Sequence, residues 1–143
     1  MTTELATLLD DFAVLDDWED RYRHVIELGR TLPAMPPELK NAATKVNGCA
    51  SQVWIHSTLV DTPAGRKLVL VGDSDAIIVK GLIAIAFMIF APRLVADIVN
   101  LDSVKIFDSL GLKEHLTPQR SNGLASMVQR IKSDAARAAQ SPA

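Results

Sequence analysis

Cysteine is nearly absent: Cys49 is the only one in 143 residues. A lone cysteine excludes an intramolecular disulfide, and it excludes a multi-cysteine zinc or iron–sulfur site within one chain. The three histidines, His24, His56 and His115, stand far apart, with no metal-ligand spacing to one another or to Cys49. Each reads as an ordinary hydrogen-bonded histidine, and no metal or cofactor is expected. A basic n-region followed by an apolar stretch is missing at the N-terminus, so no secretory signal is expected. Hydrophobic runs are short. The longest, Ala76 to Ala91, has sixteen residues and contains Lys80, against the roughly 20 that a membrane span needs. Bulk positive charge is lacking too. A formal net charge of −2 argues against a nucleic-acid binder held by overall electrostatics. Gly72 and Gly81 do not frame a phosphate loop, because the Lys-Ser/Thr ending is missing. Together these absences predict a soluble cytoplasmic protein whose thiol stays reduced, with neither a membrane nor a nucleic acid as partner.

What is present is a globular composition, 48% apolar and 22% charged. A chain of this length buries about two-thirds of its unfolded surface. One domain over residues 1–143 is therefore expected, with its core between about 8 and 135 and its last few residues disordered. Charge is uneven. The first 20 residues hold seven acids and no Lys or Arg, whereas Arg120, Arg130, Lys132 and Arg137 face only Asp134 beyond position 119. Solvated helix faces and helix-dipole preferences explain this better than docking surfaces of one sign do.

The hydrophobic period divides the chain. Leu5, Leu8, Leu9, Phe12 and Leu15 predict an amphipathic helix over 4–15. Asp16 and Glu19 form a capping-box pattern opening a second helix, which has Trp18, Tyr22, Val25, Ile26 and Gly29 on one face and ends near Arg30. Leu32 to Pro37 reads as a stiff connector, and Pro37 can open a short helical turn. The period then falls to two. Val53, Ile55, Ser57 and Leu59 alternate with Trp54, His56, Thr58 and Val60. Thr62-Pro63-Ala64-Gly65 has turn chemistry, and Lys67 to Val71 returns as the second strand of a hairpin. A third strand, if formed, lies around Lys45-Val46. Gly72-Asp73-Ser74-Asp75 offers N-caps to a helix apolar nearly all round from Ile77 to Ile89, hence the central buried helix. Pro92 suits the first turn of a helix through Val99. A helix through Ile106, Phe107 and Leu110 closes at Gly111, and Thr117-Pro118 opens a last helix reaching about Ala139. The order α-α-β-β-α-α-α-α predicts an α+β two-layer domain, with a small antiparallel sheet against several helices.

Chemistry centres on Cys49. It follows the turn-forming Asn47-Gly48, at the junction of a loop and a strand. Local context leaves two readings open, a small buried hydrophobe or an accessible loop thiol. Asp73 and Asp75 flank Ser74 as paired carboxylates would, and capping of the central helix explains them better. Arg120 sits in a helix first turn, against the dipole, where a solvated surface position is the ordinary explanation.

Three stretches together resemble the SufE family of cysteine desulfuration proteins. They are Val46-x-Gly48-Cys49-x-Ser51-Gln52-Val53-Trp54, Gly72-Asp73-Ser74-Asp75-Ala76-x-Ile78-Val79-Lys80-Gly81-Leu82-Ile83-Ala84, and Leu116-Thr117-Pro118-x-Arg120-Ser121-Asn122-Gly123-Leu124. A weaker match runs from Trp18 to Pro33, and the resemblance spans roughly 8 to 135. It implies a fold similar to the iron–sulfur scaffold proteins of the IscU and NifU type. It also implies a sulfur acceptor rather than a stand-alone catalyst. Cys49 would take persulfide sulfur from a pyridoxal-phosphate cysteine desulfurase (SufS-like), stimulate that enzyme, and pass the sulfur to a cluster-assembly scaffold complex (SufBCD-like). The alternatives are a regulatory module without transfer, or the same chemistry serving another acceptor such as RNA modification. The resemblance places Arg120 in docking, and Asp73, Asp75, Gly48, Ser51 and Gln52 around the cysteine loop. Ala50 and Gln119 stand where other members often carry a larger polar residue and Ser.

Overall fold

The computed structural model describes residues 3–15, 17–47, 51–91, 93–111 and 116–140. Among these, six helices and one hairpin follow the predicted order: α1 Thr3–Val14, α2 Trp18–Arg30, β1 Val53–Thr62, β2 Gly65–Ser74, α3 Ile77–Phe90, α4 Val95–Asn100, α5 Ser103–Leu110 and α6 Pro118–Gln140. The fold is α+β. A short 3-10 turn, Pro37–Leu39, interrupts the connector after α2.

β1 and β2 pair antiparallel along their whole length, from Val53 opposite Ser74 to Thr62 opposite Gly65. Both strands are longer than the alternating residues alone suggest. Gly65 has φ +136°, and no described non-glycine residue has a positive φ. Pro63-Ala64 therefore fits a type I turn, with Pro at its second position and Gly at its fourth. Alternation sets the faces: Val53 and Ile55 are fully buried, whereas Val69 on the opposite face is exposed.

The buried face meets α3 and α6. α3 is buried on nearly every side from Ile78 to Phe90, as an apolar helix must be. α2 lies against α3 so closely that two glycines are required. A β-carbon added to Gly81 would stand 2.1 Å from the Val25 carbonyl oxygen. One added to Gly29 would stand 2.7 Å from the Gly81 nitrogen.

α6 runs in the same direction as β1. The Arg130 guanidinium donates to the Ala43 and Lys45 carbonyls at 2.6 and 3.4 Å. Ser57 Oγ donates to Asp134 at 2.7 Å, and Arg66 donates to the Ala138 carbonyl at 3.3 Å. Asp134, only 8% exposed, also takes Arg130 Nε at 3.2 Å and Arg137. One carboxylate thus joins α6 to β1 and, through Arg130, to the segment ahead of the cysteine.

Several local expectations shift. The N-cap of α2 is Asp17, whose carboxylate accepts from the Glu19 N–H at 3.0 Å; Asp16 lies outside the described residues. Glu19 and Asp20 then occupy the first turn and Arg30 the last, as the helix dipole favours. Pro92 and His115 also lie outside the described residues, and the helix expected to open at Pro92 begins at Val95. Gly111 closes α5 at φ +68°. Thr117 Oγ1 caps α6 by accepting from the Arg120 N–H at 3.2 Å. Among the described residues, no helix is long and apolar enough to cross a membrane.

Candidate functional site

The third strand anticipated around Lys45-Val46 is a single bridge rather than a strand, and it defines the site. Lys45 pairs with Trp54. The Val46 N–H donates to the Val53 carbonyl and the Ile55 N–H to the Thr44 carbonyl, both at 2.8 Å. Asn41 and Thr44 build the turn leading in: the Asn41 carboxamide oxygen accepts from the Ala43 and Thr44 N–H groups. The segment between Val46 and Val53 is therefore closed at its base by backbone hydrogen bonds. Gly48, Cys49 and Ala50 fall inside it and lie outside the described residues.

Ser51 and Gln52 form the returning side. Gln52 exchanges two hydrogen bonds with Asp75: its N–H donates to the Asp75 carboxylate at 3.0 Å, and its carbonyl accepts from the Asp75 N–H at 3.3 Å. The cross-strand pairing thus extends one step past Val53 and Ser74, with a carboxylate in place of a carbonyl.

The capping role expected for Asp73 and Asp75 is not what the structure shows. The N-cap of α3 is Ala76, with no side-chain cap. Ser74 Oγ instead accepts from the Ala76 N–H at 3.2 Å. Asp75 is engaged by Gln52, and Asp73 by two lysines and a neighbouring backbone N–H. Asp73 receives Lys40 Nζ at 2.6 Å, Lys80 Nζ at 3.3 Å and the Ser74 N–H at 2.8 Å. Partial burial pushes the Asp73 carboxyl up. The hydrogen bonds from Lys40, the Ser74 backbone and Lys80, with the Lys80 charge, outweigh it and hold the carboxyl below its ordinary value. Lys40 also lies 5.4 Å from the centre of the Trp54 ring, and Trp54 is the cross-strand partner of Asp73. One ammonium thus bridges the turn region to both strands.

Arg120 stands apart from this cluster. Its guanidinium lies 6.0 Å from the centre of the Tyr22 ring on α2, which answers the discomfort of an Arg in a helix first turn. Because β1 and α6 run the same way, the start of β1 and the N-terminal half of α6 point toward one end of that layer pair. The structure thus brings Gln52, Asp73 and Asp75 together and joins Arg120 to Tyr22.

Sequence reasoning missed Lys40 and the Arg130–Asp134–Ser57 group. The i,i+4 spacing of Arg130 and Asp134 was a visible signal. Lys40 gave none, because its partners are 14 and 33 positions away. Lys80 was visible as the one charge in an apolar run, though not its partner.

Comparison with known proteins identifies the family. A profile of the SufE family, described as an Fe-S metabolism associated domain, matches residues 6–135. An uncharacterised SufE-like protein of Rhizobium meliloti (strain 1021) is 50% identical over 133 residues, covering 93% of this chain and 95% of that protein. An uncharacterised SufE-like protein of Rhizobium etli is 48% identical over 131 residues, covering 92% of this chain and 88% of that one. A solution structure of a hypothetical protein from Thermus thermophilus shares the fold, with a TM-score of 0.74 at 22% identity over 96% of both chains. With its cysteine segment, its Asp-Ser-Asp turn and its Thr-Pro-x-Arg helix start all inside the matched span, the chain belongs to the SufE family.

Proposed function

We propose that this chain is a sulfur acceptor: Cys49 takes persulfide sulfur from a pyridoxal-phosphate cysteine desulfurase (SufS-like), stimulates its turnover, and delivers the sulfur to an iron–sulfur scaffold complex (SufBCD-like). One observation carries the reading. In a SufE-family chain, the only thiol falls inside the segment that Val46 and Val53 close by hydrogen bonding. Functional residues fall disproportionately on connections positioned by a rigid scaffold, and the bonds between Val46 and Val53 supply such a scaffold at the base of this segment.

The chemistry is thiol–disulfide exchange in form. The Cys49 thiolate attacks the outer sulfur of the desulfurase persulfide. A new S–S bond forms at Cys49 as the old one breaks, the desulfurase cysteine leaves as a thiolate, and no net oxidation occurs. A lone cysteine suits the carrier, since no second thiol in the chain can resolve the persulfide into a disulfide. Asp75 supports the returning side of the loop through Gln52, next to Ser51. Asp73 holds the neighbouring turn against Lys40 and Lys80. Gly48 is the motif residue beside the thiol, and Arg120 presents its charge to the desulfurase. The chain acts as one domain, similar to the IscU and NifU scaffold fold. It works as a partner rather than a stand-alone catalyst, in the cytoplasm where thiols stay reduced.

The test is an intact mass after mixing with desulfurase and free cysteine without reductant. A gain of one sulfur atom, erased by reductant and missing in Cys49→Ser, is expected. Stimulated turnover with no mass gain would replace transfer by regulation alone. Arg120→Ala is expected to weaken stimulation while the fold stays intact, the loss of the Tyr22 contact lowering the melting temperature by no more than about 4 °C. Unchanged stimulation across a partner titration removes Arg120 from the docking role.

A further inference from the structure

Beside the Asp73 cluster, a groove of about 400 Å³ opens between the end of α2, the connector after it and the first turn of α3. Leu32, Met35 and Ile77 supply apolar lining, and Arg30, Lys40 and Lys80 supply cations. Ile77 stands at the mouth of the groove. α3 is buried from Ile78 onward, yet Ile77 is 60% exposed. With Leu32 and Met35 in the same lining, Ile77 carries the apolar part of the groove out to its mouth. The connector forming the other wall is proline-rich and stiff, so the groove is preformed and little ordering entropy is lost when it is filled.

Position identifies the occupant. A specific interface covers about 800 Å² per partner, a patch about 16 Å in radius. The Gln52 N–H sits 3.0 Å from the Asp75 carboxylate, and Ile77 is two residues further, at most about 7 Å along the chain. A protein docked around Gln52 over a patch of that radius reaches Ile77, at the mouth of the groove. The lining carries three cations against one carboxylate, Asp73. Asp73 is engaged by Lys40 and Lys80, and Arg30 pairs with Glu27, which is not part of the lining. The complementary occupant is apolar at its centre and acidic at its edge.

We propose that this groove receives a segment of the cysteine desulfurase that inserts an apolar side chain beside Ile77 and sets carboxylates against Arg30 and the two lysines. The proposal rests on the desulfurase being the partner, and it is separable from sulfur transfer because binding is read on its own.

The experiment measures the dissociation constant between the full chain and the desulfurase for the wild type, Arg30→Glu, Ile77→Asp and a control, Val14→Asp. Val14 is 79% exposed at the far end of α1. Arg30→Glu and Ile77→Asp are each expected to weaken binding about tenfold, and Val14→Asp to stay within about twofold of the wild type. Raising salt from about 0.05 M to about 0.5 M should weaken the wild type more than Arg30→Glu. Circular dichroism and melting of each variant confirm folding, which exposed positions permit. Wild-type-like binding by both groove variants overturns the proposal, as does a wild type that does not bind desulfurase. Self-association abolished by Arg30→Glu, with desulfurase binding unchanged, would assign the groove to a second copy of this chain and likewise overturn it. The mass gain at Cys49 is scored separately. Transfer with unaffected groove variants sinks the groove alone, and weakened groove variants without transfer sink the sulfur-acceptor reading alone.

Discussion

Two regions of this small fold are held together in opposite ways. Where α2 meets α3, contact is made by the absence of atoms: Gly29 and Gly81 let two backbones approach, and the surroundings are apolar. At the corner below Asp73, contact is made by charge, and Lys40, Lys80, Asp73, Asp75 and Gln52 arrive from four separate stretches of chain. The first region is a shape that tolerates no addition. The second is a set of polar bonds, each modest in net worth and each open to exchange with water or a partner. The part of the molecule nearest the cysteine segment is thus the part whose bonds are easiest to trade.

The largest expected effect lies at the glycine contact. Gly81→Ala should cost at least the upper end of the roughly 1–3 kcal/mol typical of overpacking, because backbone and not a flexible side chain blocks the new methyl. Urea denaturation checks this, and a loss under about 1 kcal/mol would mean that the helices separate easily and the contrast is overstated. Asp134→Ala should fall between the two regimes. It leaves Arg130 and Ser57 without their carboxylate, but Arg130 keeps its carbonyl partners and Arg137 reaches solvent. A loss of about 1–3 kcal/mol is expected, together with faster amide exchange at Val46 and Ile55, whose bonds close the cysteine segment. Global destabilisation without that local change would show that Arg130 does not steady the segment.

The smallest effect belongs to Asp73, and it should depend on pH. Its folded carboxyl sits below the unfolded value of about 3.9. The stabilisation is therefore complete above that value and is lost as pH falls through the lowered folded one. The stability gap between wild type and Asp73→Asn should be open at neutral pH and close in strong acid. An equal gap at both ends would mean that the two lysines do not act through the Asp73 charge.

The same contrast decides how much was legible in the sequence. Periodicity within single elements gave all six helices and the hairpin in order, because amphipathic spacing, Gly111 and Thr117-Pro118 act over a few residues. The buried status of α3 followed from its all-round apolar surface. The charged corner was not legible, because Asp73 and Asp75 sit where caps belong, and only folding brings Lys40 and Gln52 to them. The same holds at α2, where Asp17 took the role that spacing gave to Asp16. Arg120 stands out in the sequence for its awkward place in a first turn, but its aromatic partner Tyr22, 98 positions earlier, carries no local mark. At the candidate site the motif residues were readable, while the cations that neutralise them required the tertiary fold.

The backbone bonds between Val46 and Val53 also bear on how this protein can vary. The closure cost of the thiol-bearing segment is met at its stem, by groups that do not depend on the residues between. For a flexible loop, doubling the length adds only about 0.6 kcal/mol of closure cost. The length of the segment can therefore change at little closure cost so long as Cys49 is kept, while the Val46 and Val53 ends remain fixed on the sheet.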